Sequence, residues 1–281
     1  MKTEASKSVA AAMPEDLDVN VESLWIIGPR AKGGKRENNY HGNFVPQIPS
    51  DLIRRFTKEE DVVLEPFMGS GTTLFECERL NRRYIGFDIN KEMVAYVRQK
   101  MNNGHGKFVI HQMDASSADA ERVVQKDLTN FDRESADLMI LHPPYFDIIR
   151  FTDQKCDLSN AKSLDDFISR HQAVLRRMLG AVRKNGHLAI VAGDLYRNSE
   201  VVPLGFMLMN ATLQMGGCKL KGIVVKDMVG NRAKIGLDAL WHKRALRSDY
   251  YLFKHEYIFV FRKVGQMSIA KQRRSNQVDN P

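Results

Sequence analysis

Two short segments hold residue types whose spacing suits chemistry. The first is Asp61-Val-Val-Leu-Glu-Pro-Phe-Met-Gly-Ser-Gly-Thr-Thr73, an apolar run that ends in a glycine turn. Gly69 and Gly71 let the backbone approach a ligand closely and take φ values that other residues resist. A helix starting there offers unpaired N–H groups to a polar or anionic ligand. The second is His142-Pro-Pro-Tyr145, behind the apolar run 137–141. Its prolines stiffen the chain and have no N–H, which frees nearby carbonyls to face a ligand. The Pro143 carbonyl and the His142 ring can both accept from an amino group, and Tyr145 can stack on a planar base. Two acceptors on the hydrogens of an exocyclic amine draw its nitrogen towards tetrahedral geometry and make it nucleophilic, as amine methylation requires.

Three cofactor classes compete for the glycine turn. A nucleoside triphosphate needs a lysine after the second glycine of a P-loop, and Gly71 is followed by Thr72. A dinucleotide needs a third glycine where Leu74 stands. S-adenosylmethionine needs an acid for its ribose and polar groups for its amino-acid end. Asp88 ends the apolar run 84–87 and Asp114 follows the run 108–112. An ordinary βα turn and a strand-ending Pro-Pro turn are the plain alternatives for the two segments.

The elements that must position these segments are short apolar runs alternating with helical stretches. Strands are expected at 61–64, 84–87, 108–112, 137–141, 187–191, 222–225 and 257–261, bounded by Gly, Pro, Asn or Asp. Helices are expected at 49–56, 71–80, 91–101, 164–183 and 202–215, with Asn90 and Ser163 as caps. The alternation predicts an α/β domain whose sheet is mostly parallel, with ligands bound beyond the carboxyl ends of its strands. The last two strands, lacking a helix between them, are expected to pair antiparallel.

Charge is concentrated. Residues 219–263 hold eleven basic and four acidic groups, an excess of +7 against a whole-chain net charge of +8. Trp241, Tyr250, Tyr251 and Phe253 are interleaved with them, a pattern that can follow a phosphate backbone as well as form a solvated surface. Arg244, Arg247, Tyr250 and Tyr251 are the candidate nucleic-acid contacts. No apolar run approaches a membrane span, and no apolar block follows Lys2 to suggest a secretory signal. Cys77, Cys156 and Cys218 lie far apart, which suits a reducing cytoplasm better than a disulfide framework. Cys77 is expected to pack as an apolar group. The histidines show no paired metal spacing, so no metal is expected.

Taken together, Glu65-Pro-Phe-Met-Gly-Ser-Gly-Thr-Thr73 and His142-Pro-Pro-Tyr145 resemble the amino-group DNA methyltransferases, which make N6-methyladenine or N4-methylcytosine. The segment Tyr40-His-Gly-Asn-Phe-Val-Pro-Gln-Ile-Pro49 resembles that family's Phe-x-Pro cofactor motif, and His255-Glu-Tyr-Ile-Phe-Val-Phe261 its closing strand. The resemblance covers residues 22–263. It implies a Rossmann-like seven-stranded sheet with one antiparallel strand and helices on both faces. It implies S-adenosylmethionine held by Phe44, Pro46, Glu65, Phe67, Gly69, Ser70, Gly71, Thr72 and Asp88, with Asp114 near the adenine. The catalytic group would be His142, Pro143, Pro144 and Tyr145, and the stretch Asp157-Leu-Ser-Asn160 would line the base pocket.

Two features depart from the family pattern. Asp, Asn or Ser usually precedes the Pro-Pro pair, so His142 removes the guide to which base is methylated. If a neutral His142 is the acceptor, activity falls as pH drops through its pKa. Many relatives carry a large recognition domain, whereas here only an insertion at 226–254 is free for that task, so specificity is either short and loosely read or supplied by a second subunit or a dimer. The expected organisation is a tail at 1–20, a methyltransferase domain at 21–263 and a basic tail at 264–281. The expected partner is double-stranded DNA, with a homodimer or a separate specificity subunit supplying the missing recognition. Restriction-modification and regulatory methylation look alike in the sequence. The rivals are the same chemistry on RNA or a protein amide, and a non-catalytic DNA-binding module with a decayed site.

Overall fold

Strand and helix alternate along most of the chain, as the apolar runs predict. The computed structural model describes residues 19–33, 35, 40, 42–101, 106–228 and 238–265. Among them the order is β1 (Leu24–Trp25), α1 (Gln47–Phe56), β2 (Val62–Glu65), α2 (Thr72–Arg79), β3 (Arg83–Asp88), α3 (Lys91–Lys100), β4 (Phe108–Gln112), α4 (Ala120–Asn130), β5 (Ala136–Leu141), α5 (Leu164–Met178), β6 (Val182–Ala192), β7 (Leu195–Arg197), β8 (Glu200–Val202), α6 (Leu204–Gln214), β9 (Cys218–Asp227), α7 (Asp238–Leu246) and β10 (His255–Lys263). The expected tails, apart from residues 19–20 and 264–265, lie outside the described residues, as do 229–237 of the expected insertion.

The main sheet has the order β1-β9-β10-β6-β5-β2-β3-β4. β10 runs antiparallel to both β6 and β9 and is the one reversed strand; the other pairs are parallel. Among the described residues the sheet therefore has eight strands and not the expected seven. The added strand is β1, whose Leu24 and Trp25 pair with Val225 and Lys226 of β9. Two residues carry no legible period, and the pairing forms only once β9 is in place.

Period-2 alternation sends each central strand to two cores. Val62 and Leu64 of β2, Met139 and Leu141 of β5, and Leu188 and Ile190 of β6 pack on the face covered by α4, α5 and α6. Val63, Leu138, Ile140, Ala189 and Val191 pack on the other face with α1, α2 and α3. Cys77 is fully buried in this second core, as expected of a small apolar group.

Asn90 caps α3, its side chain accepting from Glu92 N and Met93 N at 3.0 and 3.2 Å. Ser163 caps α5 through Asp166 N at 3.1 Å. The helix expected to reach residue 183 stops at Met178, and a 3-10 turn, Leu179–Ala181, leads into β6. Val182 pairs with Ala136 of β5, and this ladder overrides the local helical pattern. α7 lies between β9 and β10, where no helix is expected, and α4 likewise falls outside the expected helices. Its buried face, Ala120, Val124 and Leu128, is narrow and lies in a polar stretch. Also unexpected is the β7–β8 hairpin, whose turn puts Asn198 and Ser199 at φ 50° and 65°.

Candidate active site

β2 and β5 are neighbours in the middle of the sheet, and strand order reverses between them. A crevice opens there beyond the carboxyl ends of the strands. It is a cavity of about 1000 Å³ walled by the glycine turn after β2, Asp88 at the end of β3, Asp114 beyond β4 and residues 142–145 beyond β5.

The glycine turn is held by its neighbour strand. Met68 N donates to Phe87 O at 2.9 Å, and Gly69 N donates to Asp88 Oδ2 at 2.7 Å. Gly69 and Gly71 sit at φ 53° and 83°, and Phe75 N closes the first helical turn on Gly71 O. A Cβ at Gly71 would stand 3.0 Å from Val97. Asp88 Oδ1 also accepts from Asn90 N at 2.7 Å. Burial raises the Asp88 pKa, against the pull of these N–H donors. Asp114 Oδ1 accepts from Ser116 N and Oγ, both at 2.8 Å, leaving Oδ2 without a partner among the described residues.

Phe44, Phe67, Gly69, Thr72, Asp88 and Asp114 line the cavity. Pro46, Glu65, Ser70 and Gly71, expected to hold the cofactor, do not reach its wall. Pro46 caps α1, and Ser70 Oγ donates to Asn43 Oδ1 at 2.5 Å. Gly71 faces Val97 and the α3 side. Glu65 is buried, accepting from Thr73 Oγ1 at 2.6 Å and pairing with the Tyr84 hydroxyl. Burial pushes its pKa up to about 8. It ties β2 to α2 and β3 from behind, so its link to the cavity is through the turn it braces.

On the opposite wall, His142 opens on the cavity but sits deep in the molecule. Its ring stands edge-on to Phe44, 4.7 Å between centroids, and to Tyr145, 5.7 Å. Desolvation lowers its pKa to about 4. Neither ring nitrogen has a hydrogen-bond partner among the described residues. Pro143, Pro144 and Tyr145 line the same wall. Phe146 then turns the chain at φ 53° and buries its ring against Phe167. Gly193, just past β6, fits against Tyr145, where a Cβ would come within 3.0 Å of the ring. Tyr145 OH donates to Glu256 Oε2 at 3.1 Å.

The 157–160 stretch divides. Asp157 and Leu158 line the cavity, while Ser159 and Asn160 hold the loop before them, through Phe151 N at 3.2 Å and Thr152 O at 2.8 Å. Sequence reasoning did not place in this wall Pro29, Arg30 and Lys32 beyond β1, nor Lys226 near the end of β9 and Glu256 near the start of β10. Their signal is topological, because only pairing of β1, β9 and β10 brings those ends together. Cys156 also lines the cavity. Among the described residues no group of three His, Cys, Asp or Glu could hold a metal ion, and no helix is long and apolar enough to cross a membrane.

Arg244, Arg247, Tyr250 and Tyr251 lie off the main cavity. Arg244 stacks its guanidinium over Trp241 at 5.2 Å, and Tyr251 is 90% exposed. Tyr250 packs on Tyr196 of β7 at 4.9 Å, and with Arg247 it borders a second, shallow cleft. Met228 N donates to Lys254 O at 2.8 Å, directly beyond the β9–β10 ladder.

Residues 1–99 match the family of N6/N4 methyltransferases described as DNA methylase. The match covers 99 of the 281 residues. The matched segment contains the Phe44 loop, the glycine turn and Asp88. The chain is 36% identical over 74 residues to a Type II methyltransferase of Lactococcus lactis subsp. cremoris, covering 25% of this chain and 28% of that protein. It is 42% identical over 66 residues to a Type II methyltransferase of Haemophilus parainfluenzae, covering 22% and 21%. It is 33% identical over 93 residues to one of Methanocaldococcus jannaschii, covering 33% and 30%. The matches thus span less than a third of each of these relatives. Among solved structures, an rRNA methylase from Streptococcus thermophilus aligns over 78% of this chain and 95% of its own, with 10% identity and a TM-score of 0.45.

Proposed function

We propose that this amino-methyltransferase relative transfers a methyl group from S-adenosylmethionine to the exocyclic amine of an adenine (N6) or cytosine (N4) in DNA. The observation that carries the reading is that one cavity joins the glycine turn, Asp88 and Asp114 to the His142–Tyr145 wall. The wall fits the cofactor. Asp88 carries a second lone pair on each oxygen for ribose hydroxyls, the open Asp114 Oδ2 suits an adenine amino group, and Phe67 and Met113 supply apolar contact. The glycines give close approach that a side chain would deny. When bound, S-adenosylmethionine supplies an electrophilic methyl on a sulfonium.

The protein's own groups do the rest. His142, neutral at physiological pH, offers one ring nitrogen as acceptor, and the Pro143 carbonyl offers the second. Together they orient the amine and draw on its hydrogens. Tyr145, braced by Glu256 and Gly193, holds the ring plane. A base inside a duplex must be flipped out to reach this wall, and the excess of Lys and Arg over residues 219–263 supports phosphate binding. Incubation with labelled S-adenosylmethionine and duplex DNA, followed by mass spectrometry of the nucleosides, tests the reading. N6-methyladenine or N4-methylcytosine is expected. Label only in RNA or protein, or cofactor binding without transfer, overturns it.

A further inference from the structure

The cavity wall behind Tyr145 holds a buried ion pair that the methyl-transfer reading does not use. Lys226, near the end of β9, sits opposite Glu256, the second residue of β10, in the antiparallel ladder, with Trp25 of β1 on its other side. Their side chains are 3% and 9% exposed, and Nζ lies 3.3 Å from Glu256 Oε1. Both line the cavity. Glu256 Oε2 takes the Tyr145 hydroxyl at 3.1 Å, giving a chain Tyr145–Glu256–Lys226.

Taking two charges out of water is repaid only by close geometry and full hydrogen bonding, and an apolar pair of similar volume often stabilises more. Here the contact is long, and among the described residues Nζ makes no hydrogen bond beyond the pair. The Lys226 ammonium thus keeps N–H donors in hand in the same cavity that His142 and Pro143 line, the two residues read above as acceptors for the amine. Acceptors beside a donor form the complement of a base edge in which an amine stands next to a bare ring nitrogen. Adenine N6–N1 and cytosine N4–N3 have that order. Thymine and uracil present a carbonyl and then an N–H, which would set acceptor against acceptor and donor against donor.

We propose that Lys226 donates to the ring nitrogen adjacent to the target amine, and that Glu256 is a positioning residue that fixes both Lys226 and Tyr145. This rests on the methyl-transfer reading above. The test is a double cycle between Lys226→Met and a duplex in which the methylated base carries C–H at that ring position, 1-deazaadenine or 3-deazacytosine. Losing a hydrogen bond to a charged donor is expected to lower kcat/KM by about 10- to 100-fold for either change alone. The combined loss should be no greater than that of the analogue's intrinsic reactivity plus one such step. Glu256→Gln, which keeps an acceptor for Tyr145, should retain more kcat/KM than Glu256→Ala. S-adenosylmethionine affinity by calorimetry should stay at the wild-type value in all variants. If Lys226→Met does not fold, the double variant Lys226→Met/Glu256→Gln, which leaves no lone buried charge, repeats the cycle. Fully multiplicative losses in an active enzyme overturn this proposal alone. A wild-type protein that methylates no nucleic acid overturns the methyl-transfer reading and this proposal with it.

Discussion

As a neutral ring His142 offers one acceptor nitrogen, where the side chains of Asp, Asn or Ser would offer an oxygen with two lone pairs. Burial alone lowers its pKa to about 4, so the ring is an acceptor throughout the physiological range. A methyl-transfer rate measured against pH should therefore be flat from about 8 down to about 5.5 and fall towards pH 4, as the ring gains a proton and loses its acceptor. A midpoint near 6.5 would place the ring in water. His142→Ala should lower kcat by about 100-fold with cofactor affinity unchanged, since the ring belongs to the target wall. Gly193 shows the same wall from behind. Gly193→Ala would press a methyl onto the Tyr145 ring, now 3.0 Å from that position, and is expected to raise KM for DNA several-fold while leaving cofactor binding intact.

The glycine turn works as an element because β3 pins it and α2 starts from it. Gly71 stands at φ 83° with Val97 closing the space around it. Gly71→Ala should cost about 1–2 kcal/mol in chemical unfolding from the left-handed backbone alone, and weaken cofactor binding by moving the turn. This turn was legible in the sequence because glycine spacing behind an apolar run has few other uses. Glu65, in the same motif, was read as a cofactor contact. It instead faces the packed side of β2, where Thr73 and Tyr84 satisfy it. Motif spacing reports that a carboxylate is needed there and does not report which way the strand turns it.

At the scale of the molecule, buried titratable groups set opposing limbs in the pH dependence of stability. His171 is fully buried, both ring nitrogens lack a hydrogen-bond partner among the described residues, and desolvation lowers its pKa to about 4. The unfolded chain takes up that proton below about 6.5, so stability is lost as pH falls from there to about 4, by about 3 kcal/mol from this residue. Glu65 acts the other way. Its pKa is raised to about 8, so the stability it contributes is full below about 4.5 and is lost as pH rises to about 8. Urea unfolding of Glu65→Gln should abolish the decline between about 6.5 and 8 and expose the histidine-driven rise from about 4 to 6.5. The basic segment around α7 makes a separate prediction. DNA affinity should fall steeply with salt, and the double variant Arg244→Ala/Arg247→Ala should reduce the log–log slope by about 2. An unchanged slope removes these residues from the phosphate contacts.

The sequence by itself determined the α/β alternation, the two motif segments, most strand and helix centres and the antiparallel closing pair, because each rests on local period, caps or glycine and proline chemistry. Tertiary structure alone decided the eighth strand, the end of α5, the burial of Glu65 and the meeting of Lys226 with Glu256 beside Tyr145. Those outcomes depend on which strand ends lie side by side. That is a property of strand order across residues up to two hundred apart, as when Ile27 N finds Asp227 Oδ1 at 2.9 Å, and no local pattern encodes it.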